Sequence, residues 1–161
     1  MRRRLQTLGL RLYRLFPRRL RLAVVHLAAP SFSVGSIAVI ERADGRVLLV
    51  RQTYRVHWGF PGGLLHRRET PEAGCRREVH EEVGLAVRPV TAPSVYVEPR
   101  TRRVDVVFPC RLVAETDADG ARPVSPEIAE VRWFARDELP DLQPEAAQAL
   151  VTLARSLDPG Q

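Results

Sequence analysis

The sequence contains no lysine, so all 25 of its basic residues are arginine. A uniform preference of this kind is typical of coding bias in a GC-rich genome, and we draw no function from it. Cysteine is scarce as well: the chain has Cys75 and Cys110 alone, and their spacing matches no metal-binding pattern. This scarcity argues against a disulfide-rich secreted fold and predicts free, buried thiols in a reducing compartment.

Long hydrophobic runs are missing too. Near the N-terminus the longest apolar stretch, LAVVHLAA, has eight residues and includes a histidine, whereas a membrane-spanning helix needs roughly 20. The arginines before it weakly resemble a twin-arginine export signal, but a strand is predicted to begin directly after Pro30. We therefore expect a cytoplasmic protein, with export as the less favoured alternative.

Acidic residues are absent from residues 1–29, which hold eight arginines, whereas the rest of the chain has 17 arginines against 19 acids. The net charge of +6 therefore belongs to an N-terminal extension, residues 1–30, and not to the body of the protein. In this extension leucines recur at helical spacing, at Leu5, Leu8, Leu12 and Leu15. The pattern predicts an amphipathic basic helix over 3–16, ended by Pro17, and a second helix over 18–28.

Several partners suit such a basic helix. We favour packing of its leucines on the body of the protein or in a homodimer. Its alternating leucines and arginines also suit an anionic membrane surface. Nucleic acid is less favoured, because the segment offers few aromatic side chains that could stack on bases.

Residues 31–161 are predicted to form one domain of helices and strands. Strands are predicted at 33–41, 46–52, 86–98 with proline interruptions, 103–114 and 130–135. Helices are predicted at 71–83 and 144–156. The first helix has well-defined ends, since Thr70 is a suitable N-cap, Pro71 fits the first helical position and Gly84 follows the last turn. The segments RVHWGFPGG and TDADGARPVSP are predicted to be loops.

Three glutamates, Glu78, Glu81 and Glu82, crowd the end of the first predicted helix. Their spacing places them on one helix face, where like charges cost a few tenths of a kcal/mol per pair. A hard cation such as Mg²⁺ would explain the crowding, because it binds carboxylate oxygens together with substrate phosphates. A solvated acidic surface also explains it, and the bare pattern favours that interpretation.

The surrounding residues change this balance, because they resemble the signature of the Nudix hydrolases, G-x5-E-x7-R-E-U-x-E-E-x-G-U, where U is apolar. The matching residues are Gly63, Glu69, Arg77, Glu78, Val79, Glu81, Glu82, Gly84 and Leu85. The resemblance extends over about residues 33–155. It implies an α/β fold, an α/β/α sandwich around a mixed sheet, to which the basic helical extension is added. It also implies hydrolysis of a nucleoside diphosphate linked to another moiety, with Mg²⁺ or Mn²⁺.

The resemblance also implies roles for individual residues. The implied metal ligands are Glu78, Glu82, Glu81 and the backbone carbonyl of Gly62. Arg77 is expected to pair with Glu69 and to hold the preceding loop against the helix. Glu127, in the loop before the last strand, is the favoured catalytic base. Glu130 is the second candidate, and Glu81 is the candidate within the signature.

Residues near the glycine-rich loop are candidates for substrate binding, namely Arg51, Arg55 and Trp58. Arg51 could meet a phosphate, and Trp58 could stack on a base, although packing beneath the loop is the favoured role for Trp58. Three further arginines, Arg100, Arg102 and Arg103, are taken as a solvated hairpin tip, with contact to substrate phosphates as the less favoured alternative.

The substrate itself stays open among ADP-ribose, another nucleotide sugar and a noncanonical nucleoside triphosphate, because the signature concerns the diphosphate and not its substituents. Two other functions are also weighed. One is a noncatalytic Nudix-like module that binds nucleotides and regulates; the other is a protein tethered to a membrane surface or nucleic acid by its basic helix. The intact signature argues against the first of these.

Overall fold

The structure is a computed structural model that describes residues 17–21, 29 and 31–157. The chain divides into two units, Met1–Phe32 and Ser33–Gln161. In the first unit residues 18–21 are helical, inside the second helix predicted from sequence. The amphipathic helix predicted over 3–16 lies outside the described residues, and the statements about its partners stay predictions.

The described part of the second unit contains seven strands, two α-helices and one short 3₁₀ helix. In chain order they are β1 (Ser33–Ile40), β2 (Val47–Gln52), β3 (Gly62–Leu64), α1 (Pro71–Val83), β4 (Val87–Pro89), β5 (Ser94–Glu98), β6 (Arg103–Leu112), the 3₁₀ helix (Glu115–Gly120), β7 (Ile128–Phe134) and α2 (Pro144–Leu157). Both predicted α-helices are therefore present. Searched over the described residues, no helix is long and apolar enough to cross a membrane.

The main sheet is mixed. Its strands follow the order β3–β1–β6–β4, and β5 also pairs with β6. β1 and β6 run parallel, with Ile37 opposite Val107, whereas β3, β4 and β5 pair in the antiparallel sense. β2 and β7 form a separate antiparallel pair in which Arg51 faces Glu130. The mixed sheet that the resemblance implies is confirmed.

The main sheet is covered on both faces. Alternate residues of β1 point to opposite sides of the sheet and therefore contribute to two buried clusters. One buried cluster joins Ala38, Ile40 and Phe108 of the sheet to Cys75 and Val79 of α1. The other joins Ile37, Val39 and Val107 of the sheet to Ala149 and Leu153 of α2. The two helices therefore sandwich the sheet. Both cysteines are free and buried, as predicted, with 3.9 Å between the Sγ atoms of Cys75 and Cys110.

The structure departs from the predicted elements in three places. The end of the predicted loop RVHWGFPGG belongs to β3, a strand of two glycines and a leucine that pairs with β1 and has no side-chain pattern to reveal it. The polar segment after β6 contains the 3₁₀ helix. β7 begins at Ile128, two residues earlier than predicted. The prolines in 86–98 do separate two strands, β4 and β5.

Candidate active site

Helix α1 has the ends that the sequence predicts. The Thr70 hydroxyl accepts a hydrogen bond from the Ala73 N–H at 3.3 Å, and Pro71 begins the helix. Gly84 ends it with a left-handed φ of 73°, and its N–H donates to the His80 carbonyl. One face of the helix is buried through Cys75 and Val79. Fixed ends and a buried face together determine where the glutamates of α1 point.

The three glutamates of α1 sit in different surroundings. Glu82 is 7% exposed, and its Oε2 accepts a hydrogen bond from the Gly62 N–H at 3.0 Å. Burial raises the pKa of Glu82 to about 8, against the opposing effect of the Gly62 hydrogen bond; the charges of Glu78, Glu127 and Glu81 raise it further. An ionised Glu82 is therefore unfavourable here unless a cation stands beside it.

Arg77 joins the loop before α1 to the glutamate cluster. Its Nε and Nη2 donate to the two carboxylate oxygens of Glu69 at 2.8 and 2.9 Å, so the predicted ion pair is present. Its Nη1 donates to Glu78 at 2.8 Å and to Glu81 at 3.0 Å. These Arg77 donors, followed by the His66 N–H, lower the pKa of Glu69 to about 2. One guanidinium thus fixes three carboxylates.

The backbone of β3 lies so close to β1 and α1 that a side chain at Gly62 or Gly63 would collide with them. A Cβ at Gly62, whose φ is 154°, would lie 2.2 Å from the Ser36 carbonyl oxygen. A Cβ at Gly63 would lie 2.5 Å from Glu78 Oε1. These two glycines therefore let the backbone of β3 lie directly against the glutamate cluster.

A cavity of about 550 Å³ opens beside the cluster, a size suited to a small-molecule ligand. From β3 and α1 its lining includes Gly62, Gly63, Arg77, Glu78, Glu81 and Glu82. From the other elements it includes Tyr54, Arg55, Arg103, Glu127, Gln143 and Glu145. The structure thus gathers most of the predicted site residues around one space, with Glu69 behind them as the partner of Arg77.

The structure separates Glu127 and Glu130, the two candidate acids near the start of β7. Glu127 lines the cavity, and its backbone carbonyl accepts a hydrogen bond from the Thr53 N–H at 2.8 Å. Among the described residues, the Glu127 carboxylate has no hydrogen-bond or ion-pair partner. Glu130 lies within β7 and pairs with Arg51 and with Arg132. Of the two acids, Glu127 alone faces the cavity.

The three predicted substrate-binding residues have different positions. Arg55 lines the cavity and pairs with Glu145 at 3.6 Å. Arg51 is turned to Glu130, and it does not belong to the described cavity lining, so the structure gives it no contact with a substrate there. Trp58 packs edge-on against Phe134, with ring centroids 5.0 Å apart, which is the packing role favoured from sequence.

Sequence reasoning missed the contribution of the start of α2. Gln143 is buried, and its Nε2 donates to the His57 carbonyl at 3.0 Å. Glu145 lines the cavity, and its Oε2 is buried without a hydrogen-bond partner among the described residues. A proline-initiated helix is visible in the sequence, but nothing there places Gln143 beside His57, 86 positions earlier, or Glu145 beside Arg55. Long-range packing decides this part of the site.

The carboxylate cluster suits a hard divalent cation. Its side-chain donors are all oxygens, and its negative charge exceeds the single positive charge of Arg77. Glu78 Oε2 and Glu82 Oε1 accept no hydrogen bond from the described residues, so an oxygen of each is available as a ligand. Over the same residues no group of three histidine, cysteine or acidic side chains is already arranged to hold an ion. Ion binding would therefore draw the glutamate side chains together.

Comparison with known proteins agrees with this architecture. A family model described as the NUDIX domain matches residues 32–155. A MutT-like protein of Streptomyces ambofaciens is 35% identical over 116 residues, which cover 72% of this chain and 72% of that protein. A Mycobacterium tuberculosis protein provisionally named 8-oxo-dGTP diphosphatase 3 is 32% identical over 118 residues, 68% of this chain. The match spans about half, 54%, of the M. tuberculosis protein.

Solved structures share the fold. A NUDIX hydrolase from Nitrosomonas europaea superimposes with a TM-score of 0.68 and 26% identity, covering 83% of this chain and 76% of that one. An ADP-ribose pyrophosphatase from Streptococcus suis gives a TM-score of 0.62 and 26% identity, covering 80% of this chain and 92% of that one. The chain therefore belongs to the Nudix hydrolase family, and both the expected fold and the assignment as a hydrolase are confirmed.

Proposed function

We propose that this enzyme hydrolyses the diphosphate linkage of a nucleotide derivative with the help of Mg²⁺ or Mn²⁺. The observation that carries the proposal is the buried Glu82 carboxylate, surrounded by Glu78, Glu81 and Glu127 at one end of a cavity. Such a cluster is unfavourable on its own and becomes favourable when it holds a cation.

Glu78 and Glu82 would hold the ion, with Glu81 and the Gly62 carbonyl as further ligands. When bound, a divalent ion neutralises phosphate oxygens and lowers the pKa of a coordinated water. Arg77 keeps Glu78 and Glu81 in place through its hydrogen bonds, and Glu69 keeps Arg77 in place. Arg77 and Glu69 therefore act on the reaction by positioning the ligands.

Glu127 is the favoured general base. Its carboxylate lies on the cavity without a partner among the described residues, so it can take a proton from an attacking water. Glu81, the alternative within the signature, is already engaged by Arg77. Proton transfer to Glu127 would not require breaking an existing ion pair.

The substrate is proposed to be ADP-ribose, another nucleotide sugar or a noncanonical nucleoside triphosphate. Relatives named for an ADP-ribose pyrophosphatase and for an 8-oxo-dGTP diphosphatase support this range. The cavity volume of about 550 Å³ accommodates part or all of such molecules. Arg55, at the cavity edge, is placed to contact the substrate.

The test is a panel of nucleoside diphosphate derivatives and nucleoside triphosphates, incubated with Mg²⁺, with Mn²⁺ and with EDTA. We expect a nucleoside monophosphate, together with a phosphorylated product or pyrophosphate, to form in the presence of metal only. Folded enzyme that binds metal but turns over no compound of the panel would instead favour the noncatalytic nucleotide-binding module.

The remaining proposals concern the whole protein. A cytoplasmic location, a homodimer and contact with a membrane surface through residues 1–29 all stay predictions. Deleting residues 1–30 separates a hydrolase from a tethered protein, because a hydrolase that remains folded should keep most of its turnover, whereas a tether should lose its partner.

A further inference from the structure

One arginine of the cavity wall is anchored by a buried acid. Arg103 begins β6, and its Nε lies 2.8 Å from Asp105 Oδ1 and 2.9 Å from Oδ2. Asp105 is 3% exposed. A buried carboxylate without a partner is strongly destabilising, so the core itself requires Arg103 to stay in this position.

The neighbouring strand leaves room for this pair. Gly35 on β1 stands opposite Asp105 in the parallel register. A Cβ at Gly35 would lie 2.6 Å from Asp105 Oδ1 and 3.2 Å from Arg103 Nη2. Any larger residue at Gly35 would displace the pair. Gly35 on β1 and Asp105 on β6 together therefore determine where the Arg103 guanidinium lies.

The outer nitrogens of Arg103 are free to bind something else. Asp105 engages Nε alone, and Nη1 and Nη2 have no partner among the described residues. The side chain is 30% exposed and lines the same cavity as the glutamate cluster. By contrast, Arg77 has all three nitrogens engaged. Arg55 lies 3.6 Å from Glu145 through Nη1 and has no side-chain hydrogen bond among the described residues, so it is not anchored as Arg103 is.

We propose that Arg103 binds a phosphate of the substrate through Nη1 and Nη2, with Asp105 and Gly35 as its positioning residues. The proposal rests on the proposed function, because it concerns the same cavity. A guanidinium matches two phosphate oxygens with parallel hydrogen bonds, and an anchored one loses little side-chain entropy when it binds.

The charges around the cavity support a phosphate at this position. The glutamate cluster repels an anionic substrate, and the positive charge of Arg77 is already shared among Glu69, Glu78 and Glu81. Arg103 therefore supplies attraction that the cluster cannot supply without metal. Because it would contact phosphate oxygens, Arg103 selects for phosphate and contributes alike to substrates that differ in base or sugar.

The test compares wild type with Arg103→Gln and with a matched control, Arg100→Gln. Arg100 is an exposed arginine of the same hairpin, and it is not among the residues that line the described cavity. With the best substrate of the panel and Mg²⁺, Arg103→Gln should raise KM about 10- to 100-fold, the size of one or two lost charge-assisted hydrogen bonds. Its kcat should stay within about threefold of wild type, and Arg100→Gln should change KM by less than about twofold. A KM within twofold of wild type for Arg103→Gln would overturn the proposal.

Arg103→Gln leaves Asp105 buried without its partner, and this variant alone is therefore exposed to misfolding. The double variant Arg103→Gln/Asp105→Asn removes the buried charge and should give the same rise in KM in a folded protein. Asp105→Asn alone should raise KM less, because the guanidinium is present but no longer anchored. A fall in melting temperature with an unchanged KM in both Asp105 variants would reduce the pair to a structural role and overturn the proposal.

A titration with inorganic pyrophosphate and Mg²⁺ separates this proposal from the proposed function, because it needs no turnover. Wild type should bind pyrophosphate more tightly than the double variant, and Arg100→Gln should bind like wild type. Equal affinities would contradict the role of Arg103 even if the enzyme is active. Absence of turnover together with weaker pyrophosphate binding by the double variant would contradict hydrolysis and leave the phosphate site supported.

Discussion

The Gly62 N–H donates a hydrogen bond of 3.0 Å to Glu82 Oε2, which connects strand β3 directly to the carboxylate face of α1. This bond offsets part of the cost of burying Glu82 and leaves its other oxygen available. Since Gly62 also stands beside the proposed metal position, one backbone contact sets the distance between the glycine-rich strand and the glutamate cluster.

Replacing Glu82 should show how much the buried carboxyl group lowers the free energy of unfolding, separately from its role in activity. Glu82→Gln keeps the shape of the side chain and removes a carboxyl group whose pKa is about 8 in the fold, against roughly 4.3 in the unfolded chain. At neutral pH folding must therefore either protonate this carboxyl or bury its charge, and in EDTA the variant should be more stable than wild type by about 1–3 kcal/mol. Thermal unfolding measures this gain. A lower melting temperature than wild type in EDTA would mean that the Gly62 hydrogen bond to Glu82 outweighs the cost of burying this carboxyl group.

Gly63→Ala should damage the site by steric contact alone. The added methyl group would lie 2.5 Å from Glu78 Oε1, so either β3 or Glu78 must move. We expect a loss of turnover of at least about tenfold, since small displacements of catalytic groups are costly. Gly120→Ala is the matched control, because its Cβ would meet nothing within 4 Å. Equal activities of the two variants would contradict the close fit of β3 against Glu78.

Glu127→Gln tests the general base. Without a carboxylate to take the proton, kcat should fall by roughly 10²–10⁴, while the melting temperature stays near that of wild type because Glu127 has no side-chain partner among the described residues. Glu130→Gln serves as the comparison, since it removes the nearby acid that pairs with Arg51. If Glu127→Gln keeps the wild-type rate, the role passes to Glu81 or to another group.

The ion pair of Glu69 with Arg77 should make stability depend on pH in a defined window. Arg77 lowers the pKa of Glu69 to about 2, below the value of roughly 4.3 expected in the unfolded chain. The folded state therefore binds this proton less tightly, and the stabilisation is complete above about pH 4.5 and is lost as the pH falls towards 2.

The measurement is the difference in melting temperature between wild type and Glu69→Gln. It should be constant between neutral pH and about pH 5 and should shrink below about pH 4.5. Glu72→Gln, which breaks an exposed pair with Arg76, is the control and should change the melting temperature little at any pH. A difference for Glu69→Gln that persists undiminished to pH 3 would contradict the low pKa.

The sequence predicted best what depends on local spacing. The caps of α1 follow from residues close together in the chain, and the pair of Arg77 with Glu69 was implied by the resemblance to the Nudix signature; the structure has both. The burial of Cys75 and the packing of Trp58 were also anticipated, because apolar groups of this kind usually lie in a core. A signature of nine residues was sufficient to place one side of the cavity.

Sequence reasoning was weakest where strand pairing or helix docking decides the outcome. Arg51 was a candidate for phosphate binding, but the register of β2 with β7 places it opposite Glu130. β7 begins at Ile128, so Glu130 lies in the paired strand opposite Arg51, whereas Glu127 lies in the loop before it. The position of Glu145 beside Arg55 follows from no local pattern. The spacing of Arg103 and Asp105 places both on one strand face, but it does not show that Asp105 is buried or that Arg103 lines the cavity.

The most direct test of the account is the rate of substrate hydrolysis as a function of Mn²⁺ concentration, measured for wild type and Glu82→Gln with the best substrate of the panel. The account predicts a wild-type rate that rises to saturation with Mn²⁺ and disappears in EDTA. It also predicts no saturable rate for folded Glu82→Gln over the same range. A wild-type rate that survives EDTA, or a Glu82→Gln rate equal to wild type, would contradict the assignment of this carboxylate cluster as the metal-dependent centre.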